Sequence, residues 1–438
     1  MQFWITSLRS QALRAVRAGG ALAALLGCLI AVAAASAQAI SLPNTPKDNA
    51  GRQTADQSLA QDGAEYARQF GVSLDNARQR LRAQEESVAA TDGIGKRYRD
   101  RLAGISVEHS PAFRIVVYLT GTIPVPDEHV AAGGLDVPIV FRTGAKATRD
   151  RVIWAITNHQ GEIGALFPTL PAMGLDPRSG ELVIIVNQAV AAADVEALRG
   201  KIAALAGVPT RIRTLERSDI NLTMAGGARV EGLDTADGKR YVCTTAFNVT
   251  DGDRFGITTA AHCLNDLAYH DASAGDEPLT YAGQWGWGYQ DVQINLADTA
   301  LTPDFYADTA KTLTRPVTAQ RSRDDTRAGD FVCHRGERTG YSCALVELTD
   351  FAPAGALCGG PCLPTWVTVA GPNCKGGDSG SPVFSGTVAL GILKGGSYRR
   401  DGSCAFYFYM SVDYLPRGWS LLKEPASLAL ATPTPGAP

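Results

Sequence analysis

The chain has 438 residues, of which 45% are hydrophobic and 19% charged, with a formal net charge of −3. That is too apolar for a disordered chain and not basic enough for a binder of nucleic acid or anionic membrane surfaces. Gly (46) and Pro (23) favour turns and strands over a helical bundle, and nine cysteines, an odd number, cannot all pair with one another.

Residues 1–39 have the pattern of a secretory signal peptide. Arg9, Arg14 and Arg17 precede the uncharged run 19–35, and Ala35-Ser36-Ala37 and Ala37-Gln38-Ala39 offer small-residue cleavage sites. A retained membrane anchor is the competing reading, since a span needs about 17–25 residues. The small-residue exit favours cleavage, and with it an extracellular or periplasmic protein with no stable membrane insertion. Leu25-Leu26-Gly27-Cys28 faintly resembles a lipidation box, but an apolar run continues beyond the cysteine. Loss of Cys28 with the signal leaves eight cysteines, an even number, in an exported chain, which points to disulfides.

All eight lie between Cys243 and Cys404, and residues 40–242 have none. Charge divides at a similar place, with 21 basic and 21 acidic residues in 40–221 against 17 and 23 from 222 onward. The expected organisation is therefore a signal (1–39), a cysteine-free region (40–221), a cysteine-rich domain (222–420) and a tail (421–438). The tail ends Thr-Pro-Thr-Pro-Gly-Ala-Pro and is expected to be disordered.

In the cysteine-free region, 40–56 is polar and rich in turn formers, and is expected to be flexible. Ser73 is placed to cap a helix from Leu74 to about Val88, with Leu74, Ala77, Leu81 and Val88 on one face. The runs 115–119 and 182–186 predict strands. A helix over 193–206 and an extended segment over 209–215 follow, so α/β or α+β units are expected. His109, His129 and His159 have no companions at metal-ligand spacing, and are expected to be surface or half-buried side chains. No chemistry announces itself here.

The cysteine-rich region holds two unusual segments. One is Gly256-Ile257-Thr258-Thr259-Ala260-Ala261-His262-Cys263 and the other Gly377-Asp378-Ser379-Gly380-Ser381-Pro382. A serine hydroxyl is a weak nucleophile unless a base takes its proton, and histidine is the natural base near neutral pH. The imidazole then needs a carboxylate to fix its tautomer. No histidine follows Ser379, the last being His334, which excludes any Ser…Asp…His order. His262 has the sharpest context; His270 and His334 are weaker candidates. The acid comes from a crowded field. Asp291 is favoured because Val292, Ile294 and Leu296 alternate after it, placing it at the mouth of a half-buried strand. Asp298 is second, and other aspartates stay open.

Thr-Ala-Ala-His-Cys and Gly-Asp-Ser-Gly-Ser-Pro resemble the histidine and serine motifs of chymotrypsin-like serine proteases. Cys243, Cys263, the run from Val332 to Cys343, Cys374 and Cys404 narrow the resemblance to the bacterial branch of alpha-lytic protease and streptogrisin. It covers roughly 222–420. It implies a mainly β fold, a chymotrypsin-like double six-stranded β-barrel, preceded by an α+β pro-region at 40–221. It implies a secreted serine endopeptidase made as a pro-enzyme, acting on peptides and proteins, with the pro-region as folding assistant and inhibitor. No cofactor and no metal are expected.

The resemblance also implies a catalytic His262, Asp291 and Ser379, with the N–H groups of Gly377 and Ser379 as oxyanion hole. Asn373, Lys394, Gly395 and Gly396 would lie along the substrate. Implied disulfides are Cys243–Cys263, Cys333–Cys343 and Cys374–Cys404. Cys358 and Cys362 lack a family precedent and are expected to close a small disulfide loop rather than half a zinc site. Several residues depart from the pattern. Ser381 replaces the usual second glycine after the nucleophile. Met224-Ala225-Gly226-Gly227 lacks a basic residue ahead of an Ile-Val-Gly-Gly start, so Asp378 should find a cation other than a new N-terminus, and Lys375 is the candidate. Lys394 stands where a small residue is commoner, and is expected to point to solvent or, alternatively, to favour acidic substrate groups. Pro372-Asn373-Cys374 offers no Asp for a basic-residue preference, which favours apolar or small residues before the cut. A non-catalytic binding protein and a processing protease that keeps its N-terminal region are the other readings.

Overall fold

The computed structural model describes residues 51–187, 195–215, 220–221, 227–271, 275–371 and 373–425. The signal-like segment 1–39, Met224–Gly226, Pro372 and the end of the tail from 426 lie outside the described residues.

The first helix, Ala55–Phe70, begins inside the segment expected to be flexible. Thr54 and Gln57 cap it reciprocally, the Thr54 hydroxyl accepting from the Gln57 N–H (3.2 Å) and the Gln57 side chain from the Thr54 N–H (2.8 Å). Just before it, Gly51–Arg52 pairs in parallel with Leu313–Thr314, so the expectation of a loose start fails from residue 51 onward. The next helix, Leu74–Glu86, has its Ser73 cap as expected, with Ala77 and Leu81 buried. Leu74 is 40% exposed and Val88 opens a new helix, Val88–Arg97, so the apolar face is narrower than the periodicity suggested.

Two sheets follow. One is ordered Leu102–Glu108, Arg114–Thr120, Leu135–Ala145, Glu128–Ala132. The other contains Ala172–Asp176, Glu181–Asn187 and Thr210–Leu215, the last two parallel, with the helix Val195–Ala206 between them in sequence. This strand–helix–strand unit is the predicted one.

The cysteine-rich half is β structure. Its first part holds a sheet of Arg240–Thr244, Arg229–Leu233, Ala268–Asp271 and Gly275–Pro278, and a five-stranded sheet of Thr280–Trp285, Val292–Ala297, Phe255–Thr259, Asn248–Thr250 and Ser420–Leu421. Its second part follows a six-strand path of Gly340–Leu345, Phe331–Gly336, Pro382–Ser385, Val388–Tyr398, Cys404–Ser411 and Val367–Ala370. The mainly β class with an α+β N-terminal region is thus as expected.

The two regions share sheets and core. Phe351–Ala352 adds to the N-terminal sheet by pairing antiparallel with Met173–Gly174. Tyr66, Leu81 and Ile185 bury in one cluster with Phe331, Phe351 and Trp366. His109 corrects an expectation here. It is buried, with Nδ1 2.7 Å from the Tyr66 hydroxyl and Nε2 2.6 Å from the Gly329 carbonyl oxygen of the other region. Burial pushes its imidazole pKa down, partly offset by the Gly329 carbonyl. His129 is exposed and His159 half-buried, as expected.

Candidate active site

Three backbone segments converge at one end of the five-stranded sheet. In the pairing of Phe255–Thr259 with Val292–Ala297, Thr259 lies opposite Gln293. The residues just outside that register, His262 after one strand and Asp291 before the other, are therefore neighbours. The turn carrying His262 closes through Cys263 N–H to Ala260 O (3.2 Å) and is tied to the strand Arg240–Thr244 by the Cys243–Cys263 disulfide. Ser379 arrives from the turn before the strand Pro382–Ser385, and its carbonyl accepts the Thr244 N–H at 2.8 Å. Gly380 follows with φ +87°, and a Cβ there would sit 2.0 Å from the Thr244 carbonyl oxygen, so only glycine fits.

The three side chains form one hydrogen-bonded line. Asp291 Oδ2 is 2.8 Å from His262 Nδ1, and His262 Nε2 is 2.8 Å from Ser379 Oγ. Asp291 Oδ1 also accepts the His262 backbone N–H at 3.2 Å, which fixes the carboxylate in the ring plane's neighbourhood from two sides. Burial alone would push the Asp291 carboxyl up; the adjacent His262 and Lys394 hold it below the usual carboxylate range. Asp298, the runner-up, lies exposed just past the end of the strand Val292–Ala297.

The other two histidines of this half are elsewhere. His270 is exposed and pairs with Asp276. His334 is fully buried, near Thr339 Oγ1 (3.3 Å) and Ser342 Oγ (3.4 Å), and desolvation pushes its pKa down to about 4.

Asp378 needs no cation. Its buried carboxylate accepts the N–H groups of Lys375 (2.9 Å), Arg338 (3.1 Å) and Thr339 (3.2 Å) and the Thr339 hydroxyl (2.8 Å). Lys375 contributes its backbone, not its ammonium, which corrects the expectation. Four neutral donors disperse the charge of the carboxylate in place of an N-terminal ammonium. Gly377 has φ +123°, and among the described residues no acceptor takes the N–H of Gly377 or Ser379.

Around this line, Gly395 and Gly396 are buried in the strand Val388–Tyr398 and Asn373 is exposed. Lys394 corrects a second expectation. Its side chain is 1% exposed and turned inward, Nζ 3.4 Å from Asp291 Oδ2, not toward solvent. Only knowledge of the strand's far neighbours could have revealed this contact. All four cysteine pairs are disulfides as expected: Cys243–Cys263, Cys333–Cys343, Cys358–Cys362 and Cys374–Cys404.

No family model matches the chain. Among curated proteins, streptogrisin-C of Streptomyces griseus is 25% identical over 424 residues, which cover 92% of this chain and 82% of that protein. Serine protease 1 of Streptomyces fradiae is 26% identical over 284 residues, covering 61% and 74% respectively. Among solved structures, Thermobifida fusca protease A is 22% identical with a TM-score of 0.36, covering 46% of this chain and 99% of that one. The two curated relatives are serine proteases, and the enzyme class they support for this chain is a serine-type endopeptidase.

Proposed function

We propose that the chain is a secreted serine endopeptidase, made as a pro-enzyme, that cuts peptide bonds through His262, Asp291 and Ser379. The observation that carries this reading is the Asp291–His262–Ser379 line, with both links at 2.8 Å. Asp291 accepts from His262 Nδ1–H, leaving Nε2 to accept the Ser379 proton. Ser379 Oγ attacks the scissile carbonyl, and the Gly377 and Ser379 N–H groups stabilise the oxyanion. His262 then protonates the leaving amine, and water, deprotonated by the same imidazole, hydrolyses the acyl-enzyme.

The pro-region reading has its own support. Ile220–Asn221 pairs antiparallel with Gly395–Gly396, the strand an extended substrate would join. A chain end seated there blocks the site, as an inhibitor must. The shared sheets and core also favour a second reading, in which the N-terminal region stays bound after cleavage as a permanent domain.

The test is Ser379→Ala. It should abolish hydrolysis, a loss on the order of 10⁶ in kcat by comparison with other triads, and abolish labelling by an organofluorophosphonate. Labelling that persists in the variant would overturn the assignment. An unmutated, processed chain that neither cuts nor labels would point to the non-catalytic alternative.

A further inference from the structure

The strand Val388–Tyr398 carries one charged residue, Lys394, and buries it. The cause is local. In the ladder with Cys404–Ser411, Leu393 faces Tyr409 and Gly395 faces Phe408, so Lys394 is the extra residue of a β-bulge. Bulges re-aim side chains, and this one turns the lysine toward the triad. Its Nζ lies 3.4 Å from Asp291 Oδ2 and 5.2 Å from the centre of the Trp366 ring. That carboxylate oxygen is the one that also meets His262 Nδ1, at 2.8 Å.

The charged groups that face Asp291 are therefore His262, from the turn after Phe255–Thr259, and Lys394. Among the described residues, the other groups that meet it carry no charge. The strand Cys404–Ser411 supplies the Met410 sulfur, which takes the Asp291 N–H at 3.2 Å. The segment entering Val367–Ala370 supplies Trp366 beside the lysine, and the serine turn supplies the Ser379 hydroxyl. Burial pushes the Lys394 ammonium pKa down, and Asp291 recovers part of that loss.

Charge balance then differs between the free enzyme and the reacting complex. With a neutral imidazole, one carboxylate and one ammonium cancel. Protonating His262 in the free enzyme puts a second cation on the same buried carboxylate, which a nearby like charge opposes. In the transition state the oxyanion supplies the missing negative charge, so the same imidazolium is tolerated where it is needed.

Resting on the triad assigned above, we propose that Lys394 is a positioning residue for catalysis, whose buried ammonium holds the Asp291 carboxylate in place and opposes a second positive charge on His262 in the free enzyme. The ammonium acts through Asp291, while only the backbone carbonyl of Lys394 lies near Ser379 Oγ, at 3.5 Å.

The experiment uses the processed enzyme and its Lys394→Met and Lys394→Gln variants, each titrated with the fluorophosphonate to count active sites. Then kcat and KM for one peptide substrate are measured from acid to alkaline pH. In both variants the acid midpoint of kcat/KM should move up by about one pH unit, the scale on which a neighbouring charge shifts a titration. Plateau kcat should fall further in Lys394→Met than in Lys394→Gln, whose amide can still donate to Asp291, with KM little changed. A variant that labels normally and keeps the original acid midpoint overturns the proposal. Lys394→Gln is the milder change and carries the test if Lys394→Met is not secreted. Failure of the triad reading would look different, since the unmutated enzyme would then neither hydrolyse nor label.

Discussion

Asp62 and Arg315 face each other through two hydrogen bonds, of 2.9 and 3.0 Å, across 253 residues of sequence, and both side chains are buried. Asp62 lies in the first helix of the N-terminal region and Arg315 in the cysteine-rich half. Both side chains have further partners, Arg315 Nη1 also donating to the Gly386 carbonyl oxygen at 3.1 Å. Asp62 also accepts the Tyr341 hydroxyl (2.6 Å) and the Gly386 N–H (2.8 Å), while Arg315 Nε reaches the Gln53 side chain (2.9 Å). A buried pair so well satisfied fixes how the two regions dock, more than it adds stability.

Removing one partner should be costly because the other stays buried and unpaired. Asp62→Ala is expected to destabilise the uncut chain by about 3–5 kcal/mol. Asp56, on the helix of Asp62, makes an exposed pair with Arg82 of the helix Leu74–Glu86, and Asp56→Ala should cost less than about 1 kcal/mol. Denaturant unfolding of both variants, made in a Ser379→Ala background to prevent cutting, measures the contrast. Equal losses would mean that the Asp62 contact does not hold the regions together.

His334 gives stability a dependence on pH. Its folded-state pKa is about 4, because burial disfavours the charged ring, against about 6.5 in an unfolded chain. Between those values the unfolded chain binds more protons, so stability rises with pH there. The contribution is fully present above about pH 6.5 and is lost as pH falls through about 4, amounting to about 3 kcal/mol. His109, also depressed by burial, acts in the same direction. His334→Gln should flatten the unfolding free energy over this window, measured by urea titration at a series of pH values. A variant with the unmutated slope would show that His334 is not the sensor.

His262 and Ser379 were legible because each chemistry needs its own backbone setting within a few residues of sequence. Asp291 was legible because the alternation after it marks where a strand begins. Asp378 and Lys394 were misread for one reason: their partners come from distant segments. Asp378 is satisfied by the turn at Arg338–Thr339, and Lys394 is re-aimed by a bulge that no local pattern announces. The boundary near 221 was visible as a shift in cysteines and charge. The sheets that cross it were not, since Gly51–Arg52 and Phe351–Ala352 each pair with strands from the other side.

The pairing of Ile220–Asn221 sets an expectation for where the chain is cut. Asn221 lies opposite Gly395 and Ile220 opposite Gly396, running antiparallel. The residue before Gly395 is Lys394, whose carbonyl oxygen is 3.5 Å from Ser379 Oγ. The described pairing therefore ends beside the proposed nucleophile. Processing is therefore expected just after Asn221 in sequence, at the Leu222–Thr223 bond, because Leu222 is the first apolar residue there, in keeping with the absence of an acidic residue in Pro372-Asn373-Cys374. N-terminal sequencing of the secreted form should read Thr-Met-Ala-Gly-Gly, and the Ser379→Ala chain should stay uncut at this bond. Leu222→Asp should slow self-processing strongly, because a carboxylate would have to enter a site with no cation offered to it by the inward-facing Lys394. A mature start elsewhere, or cutting at Leu222 by a chain that lacks Ser379, would refute self-processing in this register.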